Sequence, residues 1–314
     1  MMLGFKAEVD SMKNQPLVSS MIEISSHELL KQIGEGKYGE IWLARVDSGE
    51  IRALKIVRKD RFLSSKPYDR EYYGIKKYEP VSRRHDELID ILQVGRDESA
   101  GYFYYTMELA DDRSRGRQVV PENYMPKSLL SELRAKGNFT SRDCLSLGVT
   151  IARAVDCMHK AGLVHRDIKP ANIVYLNDVP KLADIGSVKS LDDSISIAGT
   201  EGYMPLEGPG RPVGDIFSLG KVLYEMSTGK DCAQYPELLD SFEESIHPEL
   251  QGLRKIILKC CARMPEDRYQ DAEALAVALD RVANPPSLKI TPAIILGGLM
   301  FLGTLLYILF GVLK

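Results

Sequence analysis

The sequence predicts an α+β fold of two lobes, a small β-rich N-terminal lobe and a larger, mostly helical C-terminal lobe, followed by one C-terminal transmembrane helix. Three patterns support this prediction. Residues 24–106 alternate β-type runs with one helical segment, residues 127–284 have mostly helical patterns, and residues 292–313 carry no charge. A chain of 314 residues that is 44% hydrophobic is long enough for a core in each lobe.

We expect five parts along the chain. Residues 1–23 are irregular and contain no long apolar run, so no cleavable signal peptide is expected there. Residues 24–106 form the N-terminal lobe, and residues 107–284 form a hinge and the C-terminal lobe. A linker at 285–291, rich in proline at its start, leads to the transmembrane helix at 292–313.

Composition argues against several kinds of partner and site. The net charge of −3 and the isoelectric point of about 6.0 give no electrostatic basis for binding nucleic acid. The five cysteines form no Cys-x-x-Cys pair, which indicates a reducing compartment and neither a disulfide framework nor a zinc site.

A glycine-rich segment opens the N-terminal lobe. Gly34, Gly36 and Gly39 form a G-x-G-x-x-G pattern between two β-type runs, where backbone N–H groups can close over phosphates. The same pattern could begin a dinucleotide-binding helix, but Ile41-Trp42-Leu43 continues as a strand. The pattern therefore favours a hairpin tip.

One lysine interrupts the apolar strand that follows. In Ala53-Leu54-Lys55-Ile56 the ammonium can reach the phosphates of a nucleotide as a point charge. Without other motifs, a packed stem with its ammonium in solvent would be the simpler interpretation.

The charged segment between the lobes, Asp111–Pro126, is an insertion with two interpretations. It is either a solvated loop or a surface that binds peptide substrate. The clearest helix follows it, with a capping sequence that begins at Thr140. Its buried face is predicted to carry Cys144, Gly148, Ile151, Val155 and Met158.

The most informative segment is His165-Arg166-Asp167-Ile168-Lys169-Pro170-Ala171-Asn172, which is followed by a strand-like pair and then Asp184-Ile185-Gly186. Mg²⁺ prefers oxygen ligands, so Asn172 and Asp184 are candidate metal ligands. Asp167 is a candidate acceptor for the proton of a substrate hydroxyl. Taken alone, His-Arg-Asp could be a surface turn, but its order with the other motifs favours phosphoryl transfer.

Together these motifs resemble eukaryotic-type serine/threonine protein kinases, and most of all the bacterial membrane-anchored members, over about residues 27–284. Further matching segments are Met107–Ala110 as the hinge, Gly199–Met204 as a substrate-facing loop, Asp215–Gly220 as the start of a buried helix, and Pro265–Tyr269. The resemblance implies the bilobal protein-kinase fold, ATP and Mg²⁺ as cofactors, and proteins as substrates.

The resemblance also assigns roles to residues. The catalytic residues would be Asp167, Lys169, Lys55 and Glu71, with Lys55 paired to Glu71. Glu79 is a rival for this pairing, but it precedes Pro80, where a helix is expected to end. The ATP-binding residues would be Ile33, Gly34, Glu35, Gly36, Gly39, Ile41, Ala53, Lys55, Met107, Glu108, Ala110 and Val174, with the backbone of Glu108 and Ala110 bonding the adenine ring. The apolar members of this set would equally suit a plain core.

Serine/threonine specificity is implied by Lys169 and its companion Thr200. An activation loop follows, with candidate phosphorylation sites at Ser190, Ser194, Ser196 and Thr200. A phosphate on this loop could pair with Arg166. The alternative is a loop already ordered by Asp192 or Asp193 against Arg166.

Two positions depart from the family pattern. Ile185 replaces the usual phenylalanine after the metal-binding aspartate, which keeps an apolar side chain there. Pro205-Leu206-Glu207 replaces Ala-Pro-Glu, so the glutamate remains while the proline has moved by one place. We still expect Glu207 to form an ion pair with Arg268.

Two other functions are considered. A membrane-tethered pseudokinase would be a binding module, but Lys55, Asp167, Asn172 and Asp184 are all intact; only the altered 205–207 segment favours it. A small-molecule kinase of related fold would be expected to lack Lys169 and the 199–203 loop.

The uncharged segment at 292–313 has 22 residues, about 33 Å as a helix, which is enough to cross a membrane. Arg281 and Lys289 precede it, so the kinase domain is expected in the cytoplasm, with the C-terminal helix anchored in membrane lipid. Gly297, Thr304 and Gly311 recur every seven residues, which suggests a homodimer through this helix. A monomeric anchor is the alternative.

Overall fold

The computed structural model describes residues 24–36, 38–190, 199–237 and 247–285. The predicted irregular segment at 1–23, nearly all of the linker and the predicted transmembrane helix at 292–313 lie outside these ranges. Among the helices that are described, none combines the length and the apolar character needed to cross a bilayer.

The chain divides into two compact units, which are Met1–Ser131 with Ala171–Lys189, and Glu132–Pro170 with Ser190–Lys314. The first unit is built on a β-sheet and the second is mostly helical, in agreement with the predicted α+β class. The unit boundary lies farther along the chain than residue 107, so the hinge, the insertion and the segment from 171 to 189 belong with the sheet.

The described part of the first unit contains a five-stranded antiparallel sheet of order β1-β2-β3-β5-β4. Its strands are β1 His27–Glu35, β2 Gly39–Val46, β3 Ile51–Arg58, β4 Ile91–Asp97 and β5 Tyr102–Met107. Strand β3 is central and is buried from Ala53 to Val57, which explains its nearly continuous apolar run. Lys55 is the only charged residue within that run.

Helix α1, Ser65–Ser82, packs beside β4 and buries Tyr68, Ile75, Tyr78 and Val81. The expectation that it ends before Pro80 is wrong. Pro80 lies in the last turn, where it removes only one helical N–H, and the helix continues to Ser82. A Cβ on Gly74 would lie 2.9 Å from the Val188 carbonyl oxygen, so a close backbone contact explains a glycine inside this helix.

A hairpin completes the first unit. Strand β6, Leu163–Val164, lies in the second unit, whereas β7, Ile173–Leu176, and β8, Val179–Leu182, lie in the first and pair in antiparallel register. Asn177 and Asp178 form the two-residue turn between them and both have positive φ, the conformation that a tight hairpin turn requires. The residues that flank the hairpin therefore meet at its other end, where Ala183 N donates a hydrogen bond of 2.8 Å to Asn172 O.

The described part of the second unit is mostly helical, as predicted. They are α3 Ser141–Lys160, α4 Pro212–Thr228, α5 Pro248–Cys260 and α6 Ala272–Ala283, while α2 Leu129–Lys136 spans the unit boundary. Helix α3 has Thr140 as its N-cap, whose side chain accepts from Asp143 N, and it buries the predicted face. It packs against α4 and α6 so closely that a Cβ on Gly148 would lie 3.0 Å from Leu279 and 3.2 Å from Leu223.

Candidate active site

An open cavity in the first unit is the candidate ligand site. Its space, together with the open solvent at its mouth, amounts to about 710 Å³. It is lined by Ile33, Ile41, Ala53, Lys55, Ile89, Tyr105, Met107, Glu108, Leu109, Ala110, Tyr124, Pro126, Ala171, Asn172, Val174, Ala183 and Asp184.

Most of the predicted ATP-binding residues line this cavity, whereas Gly34, Glu35, Gly36 and Gly39 lie in the hairpin of β1 and β2 and are not among the lining residues. Sequence reasoning missed Tyr124 and Pro126, which belong to the insertion Asp111–Pro126. The solvated-loop interpretation of the insertion is wrong for Tyr124, whose side chain is 2% exposed. The presence of an aromatic residue and a proline within a charged segment could have indicated that part of the insertion is buried.

Lys55 pairs with Asp184 rather than with Glu71. Lys55 Nζ lies 2.8 Å from Asp184 Oδ1, while Glu71 Oε1 is buried and has no hydrogen-bond partner among the described residues. Burial raises the pKa of Glu71 to about 7, although the Lys55 charge opposes this change. Burial alone would lower the pKa of Lys55, but the Asp184 carboxylate raises it. The predicted Lys55–Glu71 ion pair does not form, because the ammonium group pairs with Asp184, whose side chain is 36% exposed.

The absence of a side chain at Gly186 allows Lys55, Glu71 and Asp184 to lie close together. A Cβ at this position would lie 2.6 Å from Lys55 Nζ and 3.2 Å from Glu71 Oε1, so a larger residue would displace both groups. Asp184 has a φ of 55° and a ψ of 66°, a left-handed conformation that is uncommon for aspartate and concentrates at functional sites. Ile185 is 1% exposed and packs as the predicted apolar side chain.

Glu79, the rival of Glu71, lies elsewhere. Its carboxylate accepts from Lys76 Nζ at 2.8 Å on the surface of α1. Glu71 is the buried carboxylate on the helix face that approaches Lys55.

Asn172 and Asp184 both line the cavity at the open end of the β7–β8 hairpin. An amide oxygen and a carboxylate are the donors that a hard divalent cation prefers. The chemistry of these two residues therefore fits Mg²⁺.

The hinge has its own ion pair. The Glu108 carboxylate accepts from Lys181 Nζ at 2.7 Å and from Asp90 N at 3.0 Å. These two contacts tie the hinge to β8 and to the chain that precedes β4, so the hinge backbone is held in place along the cavity wall.

The third glycine of the G-x-G-x-x-G pattern is fixed by sheet packing. A Cβ on Gly39 would lie 2.1 Å from the Ile56 carbonyl oxygen, while the nearest contact of a Cβ on Gly36 would be 3.9 Å away. Gly36 N donates to Gly39 O at 2.8 Å and closes the loop.

In the second unit, Asp167, Lys169 and Thr200 form one hydrogen-bonded cluster. Lys169 Nζ lies 2.8 Å from Asp167 Oδ2 and 2.8 Å from Thr200 Oγ1, and Thr200 Oγ1 donates to Asp167 Oδ1 at 2.7 Å. The Asp167 carboxylate is therefore held on both of its oxygens.

Asp215 at the start of α4 fixes the segment that carries Asp167. Its fully buried carboxylate accepts from His165 N at 2.9 Å and from Arg166 N at 2.7 Å, and His159 Nε2 lies 2.8 Å away. Arg166 has a φ of 74°, so these bonds hold the backbone in a conformation that non-glycine residues rarely adopt.

Glu207 and Arg268 form an ion pair within the second unit. Arg268 Nη1 lies 2.5 Å from Glu207 Oε1, and the arginine also donates to the carbonyl oxygens of Ala262, Val213 and Arg263. The displaced proline before Glu207 thus leaves the ion pair in place.

Of the activation-loop candidates, only the Thr200 side chain is described. Ser194 and Ser196 lie outside the described residues, and so does the side chain of Ser190. The Thr200 hydroxyl is already engaged by the cluster around Asp167.

Comparisons with known proteins agree on one family. The protein kinase domain model matches residues 27–285. The chain is 28% identical over 288 residues to a probable serine/threonine-protein kinase of Clostridium perfringens, covering 84% of this chain and 39% of that protein. It is 31% identical to one of Clostridium acetobutylicum (63% and 31% covered) and 29% identical to the serine/threonine-protein kinase PknB of Mycobacterium leprae (83% and 44% covered). The chain spans less than half the length of these curated relatives.

Proposed function

Because the chain belongs to the protein kinase domain family, which matches it over residues 27–285, we propose that it is a serine/threonine protein kinase. It transfers the γ-phosphate of ATP to hydroxyl groups of proteins. Its relatives are named as serine/threonine-protein kinases or probable ones, which supports this activity. The observation that carries the proposal is the cluster in which Asp167 is held by Lys169 and Thr200.

The proposed reaction needs a proton acceptor beside the substrate hydroxyl. The substrate oxygen forms a bond to the γ-phosphorus while the bond from that phosphorus to the β,γ-bridging oxygen breaks, and ADP leaves. The hydroxyl proton goes to Asp167. Lys169 and Thr200 orient its carboxylate, which limits the motion of the acceptor before transfer.

The cavity in the first unit is proposed to bind ATP, with the ammonium of Lys55 directed at its phosphates. Asn172 and Asp184 would hold Mg²⁺, which when bound neutralises charge on the phosphates. The buried position of Lys55 supports this assignment, because a charge is more effective where water is excluded.

The test compares Asp167→Asn with Asp178→Asn in purified protein. Asp178 is an exposed turn residue whose substitution keeps a side chain that tolerates positive φ. We expect Asp167→Asn to lower the rate of phosphate transfer from radiolabelled ATP by several powers of ten. Asp178→Asn should leave it unchanged, and both variants should melt like the wild type. A wild-type rate in Asp167→Asn would contradict the proposal.

We further propose that the segment at 292–313 anchors the kinase in a membrane, with the kinase domain in the cytoplasm, so that it acts in membrane-linked signalling. The 22 uncharged residues and the flanking Arg281 and Lys289 support this. Fractionation of cells expressing the full chain, or the chain ended at residue 285, tests it. Recovery of both proteins in the soluble fraction would contradict the anchor.

A homodimer through the same segment is proposed on the spacing of Gly297, Thr304 and Gly311. Replacing all three by leucine should lower the signal of a membrane dimerisation reporter. Equal signal at equal insertion would leave a monomeric anchor.

A further inference from the structure

Tyr124 brings the insertion Asp111–Pro126 into the wall of the nucleotide cavity. Its side chain is 2% exposed, and its hydroxyl donates a hydrogen bond of 2.9 Å to the carbonyl oxygen of Ala110 in the hinge. Both residues line the cavity. Burial raises the pKa of Tyr124, so its hydroxyl stays protonated and remains a donor over the physiological range.

The backbone around Tyr124 is anchored from β1. Lys31 Nζ donates to Glu122 O at 3.0 Å and to Tyr124 O at 3.2 Å. The tyrosine is therefore held against the hinge by its own hydroxyl and by a strand of the main sheet.

A buried carboxylate shapes the rest of the insertion. Asp112 Oδ1 accepts from the backbone N–H groups of Ser114 and Arg115, each at 2.9 Å, and Asp112 Oδ2 accepts from Met125 N at 3.0 Å. The position of Tyr124 thus follows from a fixed fold of the insertion, and its contact with Ala110 is part of that fold.

The hinge offers a specific pattern of hydrogen-bonding groups to a ligand. Within the described part of the chain, Glu108 O and Ala110 N have no hydrogen-bond partner, whereas Ala110 O already accepts from Tyr124. On Glu108 and Ala110, one acceptor and one donor are therefore open, whereas the acceptor of Ala110 is in use.

Adenine matches the two open groups. Its 6-amino group can donate to Glu108 O while its N1 accepts from Ala110 N. Ring position 2 is adjacent to N1 and then faces Ala110 O. Adenine carries only C–H at this position and needs no acceptor there.

We infer that Tyr124 sets the purine selectivity of the cavity, because its bond to Ala110 O withholds the acceptor that a purine 2-amino group would use. The inference rests on the proposed use of ATP. Guanine is affected most, since its O6 is an acceptor that would oppose Glu108 O. To bind, guanine must shift so that O6 meets Ala110 N and its N1–H and 2-amino donors meet Ala110 O. A second donor on that oxygen must share it with Tyr124.

The experiment measures the dissociation constants of ATP, GTP and 2-amino-ATP by calorimetry on the full chain. The wild type is compared with Tyr124→Phe, which removes only the hydroxyl, and with Arg117→Ala, an exposed position of the same insertion. In the wild type and in Arg117→Ala, 2-amino-ATP should bind within twofold of ATP. In Tyr124→Phe it should bind about fivefold tighter than ATP, the effect expected of one neutral hydrogen bond. The preference for ATP over GTP should fall by a similar factor.

Two results would overturn the inference. One is a Tyr124→Phe variant whose 2-amino-ATP to ATP ratio equals that of the wild type. The other is a wild type that itself binds 2-amino-ATP fivefold tighter than ATP, a result that does not depend on how the variant folds. A wild type that binds ATP without transferring phosphate contradicts only the proposed function, whereas one that binds no nucleotide contradicts both.

Discussion

The hydroxyl of Thr200 donates a hydrogen bond of 2.7 Å to Asp167 Oδ1. The same hydroxyl oxygen lies 2.8 Å from Lys169 Nζ, so the threonine joins the carboxylate and the ammonium into one unit. A phosphate on Thr200 would break this unit and set its negative charge against Asp167. Thr200 is therefore better explained as a positioning residue than as a site of modification.

Removing this hydroxyl should slow catalysis. We expect Thr200→Ala to lower kcat for a peptide substrate by about tenfold to a hundredfold, because the proton acceptor loses one of the contacts that orient its carboxylate. Thr200→Ser keeps the hydroxyl and should retain most of the rate. Steady-state kinetics with both variants measures the effect. Equal rates in Thr200→Ala and the wild type would show that the Thr200 hydroxyl is not needed to position Asp167.

Autophosphorylation is expected to avoid Thr200. If the activation loop is modified, mass spectrometry of active protein should find phosphate on Ser190, Ser194 or Ser196. The reason is that the Thr200 hydroxyl is already engaged in the Asp167 cluster. Phosphate on Thr200 in protein that remains active would contradict this prediction.

The ion pair of Glu207 and Arg268 should contribute strongly to stability. The Arg268 side chain is 1% exposed and donates to three backbone carbonyls as well as to Glu207. Arg268→Ala would leave the three carbonyl oxygens and the Glu207 carboxylate, which is 27% exposed, without their donor, and an acceptor left unsatisfied typically costs about 1–3 kcal/mol. We expect Arg268→Ala to lower the free energy of unfolding by this amount in urea denaturation.

Arg211→Ala is the matched control for Arg268→Ala, since Arg211 is exposed in the same unit. It should change the free energy of unfolding by less than about 0.5 kcal/mol. Equal stability of the two variants would mean that the ion pair adds little.

The glycine-rich hairpin offers a paired test. Gly39→Ala should destabilise the protein by about 2–3 kcal/mol, because its Cβ would lie 2.1 Å from the carbonyl oxygen of Ile56 on the adjacent strand. Gly36→Ala should melt within a few degrees of the wild type, because its Cβ would make only an ordinary van der Waals contact, 3.9 Å from Gly39 O. Thermal unfolding of both variants distinguishes a packing role of Gly39 from a role in ligand binding alone. Equal melting temperatures would rule out the packing role.

The features predicted best from the sequence are those formed by residues that are close together along the chain. The segment around Asp167, the hairpin that brings Asn172 beside Asp184 and the cap at Thr140 are all encoded within short stretches, so their spacing was sufficient. The partner of Lys55 was predicted wrongly because two carboxylates compete for the ammonium. Which carboxylate pairs with Lys55 depends on how deeply each one is buried, and the spacing of the motifs contains no information on burial. The end of α1 was predicted too early, because a helix tolerates the missing N–H of Pro80 in its last turn.

The contact of Tyr124 with Ala110 could not be predicted at all. The two residues are 14 positions apart, and the acceptor is a backbone oxygen that leaves no signature in the sequence. The insertion folds back to the hinge because the buried Asp112 carboxylate accepts hydrogen bonds from its backbone. In the sequence, Asp112 cannot be distinguished from the other charged residues of the segment.

Asp112 therefore provides the final prediction, a pH-dependent contribution to stability. Burial alone would raise the pKa of Asp112, but hydrogen bonds from Met125, Ser114 and Arg115 outweigh it and lower the pKa to about 2, from an ordinary value of 3.8. A carboxylate with a lowered pKa stabilises the folded state above its unfolded pKa, and this stabilisation is lost as the pH falls toward 2. Asp112→Asn should thus lower the free energy of unfolding by roughly 2 kcal/mol at pH 7, and by less at pH 3.

Urea denaturation at pH 7, 5 and 3 measures this difference, with Asp60→Asn as the control. Asp60 is an exposed carboxylate near Arg58, and such pairs contribute less than about 1 kcal/mol. The Asp112→Asn difference should be the same at pH 7 and pH 5, since both lie above 3.8, and should shrink at pH 3. If the difference in unfolding free energy between Asp112→Asn and the wild type stayed constant down to pH 3, the asparagine side chain would destabilise the protein through its shape and not through the loss of charge. The insertion would then be held by packing around Tyr124, and Asp112 would have no electrostatic part in positioning it.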